Sequence, residues 1–248
     1  MARTRKRGWR LWRVLIWLAL AAIPTAFGLA AALPGPHRLA CPQCYGLREI
    51  DDRVYVDAAF TARDERRLLD AIRIGRQRAA AFFGEIKGRP RIAACKSQAC
   101  LDIFGGGGAK AVAYGWHAIR MSPTGLNATI ASHELIHIEL HWRLGAVGLW
   151  GPSIPAWFDE GLAVILSQDK RFRRRVAEQH VRAVMQVKTF RDWSRFTDQV
   201  GWRTSYGAAA TAVRRIDRKL GRSGLKRFID SVLQGADFED TLEKTGAF

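Results

Sequence analysis

Two histidines four residues apart, with a glutamate directly after the first, form the stretch His133-Glu134-Leu135-Ile136-His137. On an α-helix, residues i and i+4 lie on one face, so the two imidazoles can bind one metal ion from the same side. Glu134 can then reach a metal-bound water and act as its general base. The surrounding residues Thr129–Leu140 contain neither proline nor glycine, which favours a helix. This pattern predicts a hydrolytic Zn²⁺ site held by His133 and His137.

A catalytic zinc ion needs a third protein ligand beside two histidines and a water molecule. A third histidine six residues after His137 would supply it in one class of such enzymes, but Arg143 stands there. Glu160, 23 residues after His137 in the stretch PAWFDEGLAVIL, is the remaining candidate. The chain between them is rich in Gly and Pro and can reverse, and the small residues Gly161 and Ala163 permit close packing against the first helix. The alternative is an exposed helical glutamate without a ligand role.

The stretch HELIH followed by WFDEGLA resembles the gluzincin peptidases, especially their short peptidase MA-like domains. The resemblance covers about residues 90–215 and is strongest at the two helices. It implies an α+β fold of the zincin-like (thermolysin) type, with a small β-sheet, an active-site helix and a helical C-terminal part. It also implies a single zinc ion with Glu160 as the third ligand, and a peptide or protein substrate. By its place after the ligand helix, Tyr206 is the candidate for stabilising the oxyanion, with a partly buried tyrosine of no such role as the alternative.

Other residues near the motif have weaker assignments. Asp159 either orients a zinc-bound imidazole or favours its helix N-terminus by charge. His141 lies one turn after His137. It is predicted to be a packed or solvated histidine, and a contact with a zinc ligand is the alternative. The stretch Tyr114–His117 precedes the predicted HExxH helix and is either an edge strand that pairs with substrate backbone or part of an ordinary core strand. Gly105–Gly108 is either a mobile flap or an ordinary loop.

The N-terminus has the pattern of a membrane anchor. Residues 1–13 are strongly basic, and Val14–Leu33 is a run of 20 residues without a charge. At 1.5 Å per residue such a helix spans about 30 Å, the thickness of a bilayer core. A signal anchor is therefore predicted, with a cleaved signal peptide ending near Ala30–Ala32 as the alternative. Either one places the remainder outside the cytoplasm, in the periplasm if the source is bacterial, because the positive end stays inside.

The chain is basic, with 40 Lys and Arg against 23 Asp and Glu and a formal net charge of +17. No DNA- or RNA-binding motif accompanies this charge, so a nucleic-acid partner is not expected. Six basic residues lie in the first 13 positions, and a second cluster follows the predicted Glu160 helix. That second cluster is expected to be a solvated helix face or one facing anionic lipid headgroups. Its members are Lys170, Arg171, Arg173, Arg174, Arg175 and Arg182.

The four cysteines form two close pairs, Cys41/Cys44 and Cys95/Cys100. Structural disulfides in an oxidising compartment are the preferred interpretation, and the connectivity is open. A four-cysteine zinc clip and a redox CxxC at Cys41–Cys44 are alternatives. Two functions therefore compete with the peptidase: a non-catalytic zinc module that holds a partner, and a disulfide or redox protein.

Four segments are predicted: a basic cytoplasmic N-terminus (1–13), a transmembrane segment (14–33), a linker with the CxxC (34–53) and a peptidase domain (54–248). Periodicity and turn residues place the elements of that domain. The predicted extended segments are Val54–Phe60, Pro90–Cys95 and Ala111–Met121, and the predicted helices are Ala62–Phe83, Leu126–Leu144, Pro155–Ser167, Phe172–Val187, Ser205–Leu220 and Leu225–Leu233.

Overall fold

The computed structural model describes residues 35–145 and 154–248, which form a mixed α+β fold with one small sheet and mostly helices. This confirms the predicted class at that level. The strands are β1 (Arg48–Asp51), β2 (Val54–Val56), β3 (Arg91–Ala94), β4 (Ala111–Tyr114) and β5 (Ala118–Met121). The helices are α1 (Ala62–Phe83), α2 (Gln98–Ile103), α3 (Ala128–Leu144), α4 (Ala156–Leu166), α5 (Glu178–Val184), α6 (Phe190–Val200), α7 (Trp202–Leu233) and α8 (Phe238–Glu243), with 3₁₀ turns at Pro36–Ala40, Pro42–Tyr45 and Lys170–Phe172.

The five strands form one sheet in the order β1-β2-β3-β5-β4. The central strands β2, β3 and β5 run parallel, whereas β1 and β4 pair antiparallel to their neighbours. The segment Ala111–Met121, predicted to be extended, is thus a hairpin whose turn lies at Gly115–His117. Among the strands of the described residues, β4 pairs only with β5, so it lies at the edge of this sheet.

Each face of the sheet is covered by a different part of the chain. Alternate residues such as Val54, Val56 and Ile92 pack on α1 and α3, because side chains alternate between faces along a strand. The opposite face, which includes Tyr55 and Ala93, packs on the N-terminal 3₁₀ segment and α2. The strands therefore hold α3, the helix of the HExxH motif, against one face of the sheet.

The segment predicted to be a linker, residues 34–53, is packed where the structure describes it. It contains two 3₁₀ turns and β1, and Leu39 and Leu47 are buried beside Phe104. The apolar side chains of this Pro-rich stretch belong to the core. Its turn residues therefore do not make it an unpacked linker. The predicted anchor at 14–33 lies outside the described residues. Within the part of the chain that is described, no helix is both long and apolar enough to cross a membrane.

Both cysteine pairs are local disulfides. Cys41 bonds to Cys44 and Cys95 to Cys100, each pair with a Cα–Cα distance of 5.4 Å. This agrees with the preference for disulfides and gives the pairing that the sequence left open. A zinc clip of four cysteine thiolates is incompatible with these bonds.

Among the helices, α1 follows its predicted bounds, Ala62–Phe83, at both ends. Its N-cap Thr61 forms a capping box with Asp64, and Gly84 ends it with φ 80°. The predicted helix Phe172–Val187 is wrong for most of its length, because only Glu178–Val184 is α-helical. The two predicted helices near the C-terminus both form, and within the span of α7 they are separated by a kink at Gly221, whose non-helical φ of 69° is easily adopted by glycine.

Helix α4 packs along α7 rather than only on α3. A Cβ on Gly161 would lie 2.5 Å from the carbonyl oxygen of Ala209 on α7 and 2.6 Å from Val213. The small residue that sequence reasoning assigned to contact with the HExxH helix therefore serves the α4–α7 contact. The C-terminal end of α4 is fixed separately, since Arg78 of α1 donates to the carbonyl oxygen of Ser167 at 2.7 Å.

Candidate functional site

The HExxH motif lies on α3, as predicted, and the helix is buried along its motif-bearing face and its flanks. Asn127 caps its N-terminus by accepting a hydrogen bond from the backbone N–H of Ile130 at 3.2 Å. Every residue from Ile130 to Leu140 is buried. A helix buried all round holds its side chains in fixed rotamers, because close packing leaves few alternatives. His133, Glu134 and His137 are therefore well positioned.

Three potential ligand atoms meet between α3 and α4. The Nε2 atoms of His133 and His137 are 3.1 Å apart, and Glu160 Oε2 lies 3.2 Å from the first and 3.5 Å from the second. All three side chains are buried. The structure thus brings together the three residues that the sequence predicts as metal ligands.

The spacing of these atoms fits a single metal ion. A tetrahedral ion with ligands at 2.0–2.1 Å separates neighbouring ligand atoms by about 3.3 Å. The three observed distances, 3.1, 3.2 and 3.5 Å, bracket that value. The chemistry of two imidazoles and one carboxylate is also that of a divalent transition-metal site. The buried group can therefore hold a metal ion.

A second group of possible ligands overlaps the first and consists of His137, His141 and Asp159. Its distances are shorter: Asp159 Oδ1 lies 2.6 Å from His137 Nδ1, and Asp159 Oδ2 lies 2.7 Å from His141 Nε2. These are lengths of direct charge-assisted hydrogen bonds and leave no room for an ion between the atoms. Asp159 therefore connects two imidazoles, and its bond to Nδ1 of His137 turns Nε2 of that ring toward His133 and Glu160.

Burial and charge act in opposite directions on the pKa values of this cluster. Burial disfavours the charged form of His137, but the carboxylates of Asp159 and Glu160 outweigh it and raise its pKa. Burial would likewise raise the pKa of Glu160, yet His137 and His133 lower it to about 2. The two shifts show that the imidazoles and carboxylates stabilise one another's charged forms. Carboxylates that favour a proton on His137 also favour a divalent cation in its place.

Glu134 lies on the same face of the site but contacts different groups. Burial raises the pKa of Glu134, the charge of Glu160 adds to that, and the two imidazoles oppose it. The backbone N–H of Ala113 on the edge strand β4 is within hydrogen-bonding reach of its carboxylate. A carboxyl group with a raised pKa beside a possible metal site is suited to accepting and returning a proton.

Tyr206, on α7, lies beside the cluster. Its ring centroid is 6.0 Å from that of His133, and it stacks on Phe172 at 5.4 Å with an interplanar angle of 24°. Burial first, and then the charges of Glu160 and Glu134, raise the pKa of the Tyr206 hydroxyl well above its usual value. The phenol therefore stays protonated and able to donate a hydrogen bond.

These residues line one cavity of about 730 Å³, here called the metal cavity. Strand β4 and the following turn form one wall, including Tyr114, Gly115 and Trp116. Helix α6, which the sequence did not predict, contributes Phe190 and Trp193 to another wall. Neither His117 nor Gly105–Gly108 lines the cavity, so the structure gives the flap interpretation no support.

His141 is the site residue that sequence reasoning underestimated. Besides the bond to Asp159, its Nδ1 lies 3.3 Å from the carbonyl oxygen of Gly115, in the turn after β4. It thereby joins α3, α4 and the β4–β5 turn. Its spacing was the available signal, because His133, His137 and His141 recur at i, i+4 and i+8 on one helix face.

Comparison with protein-family models, with curated proteins and with solved structures finds no match to this chain.

Proposed function

We propose that this chain is a zinc-dependent metallopeptidase of the gluzincin type, which hydrolyses peptide bonds in a peptide or protein substrate. The observation that carries the proposal is the meeting of His133, His137 and Glu160 at the separations that one tetrahedral ion requires. Two histidines and a glutamate are also a ligand set of catalytic zinc, since three protein ligands leave a coordination position open. A purely structural zinc site usually has four protein ligands.

When bound, zinc would polarise the carbonyl of the scissile bond and lower the pKa of a water molecule toward neutrality. Glu134 accepts the proton of the attacking water and passes it to the leaving amine. Its place in the metal cavity beside the three proposed ligands, without being one of them, supports this role. Asp159 keeps His137 in the tautomer that directs Nε2 into the site.

Tyr206 and β4 act on the substrate. The hydroxyl of Tyr206, which remains protonated, donates to the oxygen on which negative charge develops. Strand β4 lies at the sheet edge and lines the metal cavity, which supports pairing of substrate backbone with that strand. We propose a zincin-like fold on the same grounds: a small sheet with an edge strand beside the HExxH helix, and helices that carry the third ligand and the tyrosine.

We also propose that the peptidase is held at a membrane by its N-terminus. The charge-free run Val14–Leu33 after six basic residues supports a signal anchor, with the enzyme on the extracytoplasmic side. Alkaline carbonate extraction of membranes tests this. The full chain should stay in the membrane pellet, and its recovery in the supernatant would contradict anchoring.

The decisive experiment compares the purified full-length chain with Glu134→Gln. Both are expected to bind about one zinc ion per chain, because Glu134 is not a ligand. Cleavage of a peptide library should fall by a factor of about 10²–10⁴ in the variant, the usual contribution of a general base. Glu243→Gln, an exposed glutamate on α8, is the matched control and should cleave as the wild type does.

The outcomes separate this function from its two alternatives. Zinc binding without cleavage of any peptide by the wild type would indicate the non-catalytic metal module. Loss of function in Cys41→Ser, with Glu134→Gln fully active, would indicate the redox protein. Either result would overturn the peptidase proposal.

A further inference from the structure

A second cavity, of about 900 Å³, lies at the C-terminal end of α4 and shares no lining residue with the metal cavity, which uses the N-terminal part of that helix. Its walls are the C-terminal end of α4, the segment after the third 3₁₀ turn, the start of α5 and the middle of α7. Seven arginines and three carboxylates line it, and we call it the arginine cavity. The arginines are Arg173, Arg174, Arg175, Arg214, Arg215, Arg218 and Arg222, and the acidic residues are Asp169, Glu178 and Asp217.

The three carboxylates are already engaged. Glu178 binds Arg215 through both oxygens at 2.5 and 2.7 Å, and Asp217 contacts Arg222 at 3.2 Å. Asp169 binds Arg171, a residue outside the cavity lining, at 2.6 Å.

Five lining arginines remain without an ion pair to any carboxylate of the described residues. They are Arg173, Arg174, Arg175, Arg214 and Arg218.

Arg214 is the lining arginine whose pKa responds to the excess of positive charge. It is half-buried, and its Nη1 is fixed by donation to the carbonyl oxygen of Phe172 at 3.1 Å. Burial lowers the pKa of Arg214, and repulsion from Arg173 and Arg218 lowers it further. Like charges held together in a concave site raise the local concentration of anions, because low-dielectric walls focus their field.

We propose that the arginine cavity is a binding site for a ligand that carries phosphate groups. Guanidinium groups donate in a rigid fork that matches phosphate oxygens, and they stay charged at all physiological pH values. Five guanidiniums without carboxylate partners exceed what one carboxylate ligand could neutralise, whereas a phosphorylated ligand accepts from several at once. The cavity is also larger than a single small anion fills. The phosphate is either free in solution or part of an anionic lipid headgroup.

The test measures thermal stability of the full-length chain in neutral detergent with two probes. Inorganic pyrophosphate represents a free phosphate ligand and is compared with sodium chloride of equal ionic strength. Phosphatidylglycerol in the micelles represents a headgroup and is compared with the same mole fraction of phosphatidylcholine. A ligand that binds only the folded state raises the melting temperature, so at least one probe should do so in the wild type.

The cavity variant is Arg173→Gln/Arg175→Gln/Arg218→Gln. All three side chains are exposed, so the fold should tolerate their replacement. Each lost charge-assisted contact should weaken binding by roughly tenfold or more. The control is Arg63→Gln/Arg66→Gln/Arg67→Gln on α1, which removes the same charge from an exposed surface elsewhere.

A shift lost in the cavity variant and kept in the control supports the site, and the probe that produces it assigns the source of the phosphate. No shift with either probe would overturn the proposal. An equal loss in the two triple variants would overturn it as well, because it would indicate general surface attraction.

Discussion

The two cavities at the two ends of α4 bring charges together in opposite ways. In the metal cavity, Asp159 and Glu160 lie within 3.5 Å of imidazole nitrogens, so unlike groups meet and satisfy one another by hydrogen bonds. In the arginine cavity, guanidiniums outnumber carboxylates, so Arg214 lies near Arg173 and Arg218 with no carboxylate of the described residues paired to it. The first cluster satisfies its own charges, whereas the second leaves guanidiniums that an added anion could pair with.

This difference affects how each site can be recognised. Direct contacts can explain the histidine cluster without any ion, so its assignment depends on the ligand chemistry together with three separations close to the 3.3 Å expected for atoms that share a metal. The arginine cluster has no such internal explanation, and its assignment depends on unpaired charge. Variants in one site should leave the other unchanged, because the two cavities share no residue.

The largest effect is expected for Glu160→Gln. The amide keeps the size of the side chain but lacks the negative charge that lies beside the two imidazoles and would bind the cation. Zinc affinity should therefore fall by more than about 100-fold. Zinc content after dialysis, measured by atomic absorption, should drop from about one ion per chain to nearly none. Stabilisation by the phosphate probe should persist in the same variant.

Glu243→Gln provides the comparison for charge alone and should retain its zinc. Full retention of zinc by Glu160→Gln would mean that the ion is held elsewhere. In that case the short distances among His133, His137 and Glu160 would describe a hydrogen-bonded cluster only.

Local pattern was sufficient to predict which three side chains meet in the cluster, and the bounds of α1. His133 and His137 share a face because of helix geometry, and Glu160 sits on a helix with a clear apolar pattern. The bounds of α1 follow from Thr61 and Gly84, whose capping roles depend on neighbouring residues only. Such features survive tertiary packing because they are determined within a few residues.

The misjudged features depend on residues distant in sequence. His141 acts through Asp159 and Gly115, which lie 18 and 26 residues from it in the chain. Gly161 is needed where α4 meets α7, a contact that no local pattern encodes. The arginine cavity joins residues 173–175 to 214–222, so sequence showed a basic cluster but not a concave site.

Asp159→Asn should have the second largest effect. Asparagine keeps an oxygen near Nδ1 of His137 but removes the charge that fixes its tautomer, and losing such a partner typically weakens metal binding by about 10–100-fold. Competition with a zinc-sensitive chelator dye measures this directly. Asp198→Asn, an exposed position on α6, should bind zinc as tightly as the wild type. An unchanged affinity in Asp159→Asn would show that His137 does not need Asp159 to bind the ion.

His141→Asn should have the smallest effect on the metal cavity, and it separates a positioning role from simple packing. His141 contacts no proposed ligand atom directly, but its Nε2 lies 2.7 Å from Asp159 Oδ2. Its loss removes a hydrogen bond to Asp159, which in turn contacts the proposed ligand His137. Zinc affinity should fall by about 2–10-fold, the equivalent of one net hydrogen bond. In Asp159→Asn the same change should add little, because both act through Asp159. His37→Asn, at an exposed position, is the control and should leave zinc affinity unchanged. If the losses of zinc affinity in Asp159→Asn and His141→Asn multiply in the double variant, His141 does not act through Asp159.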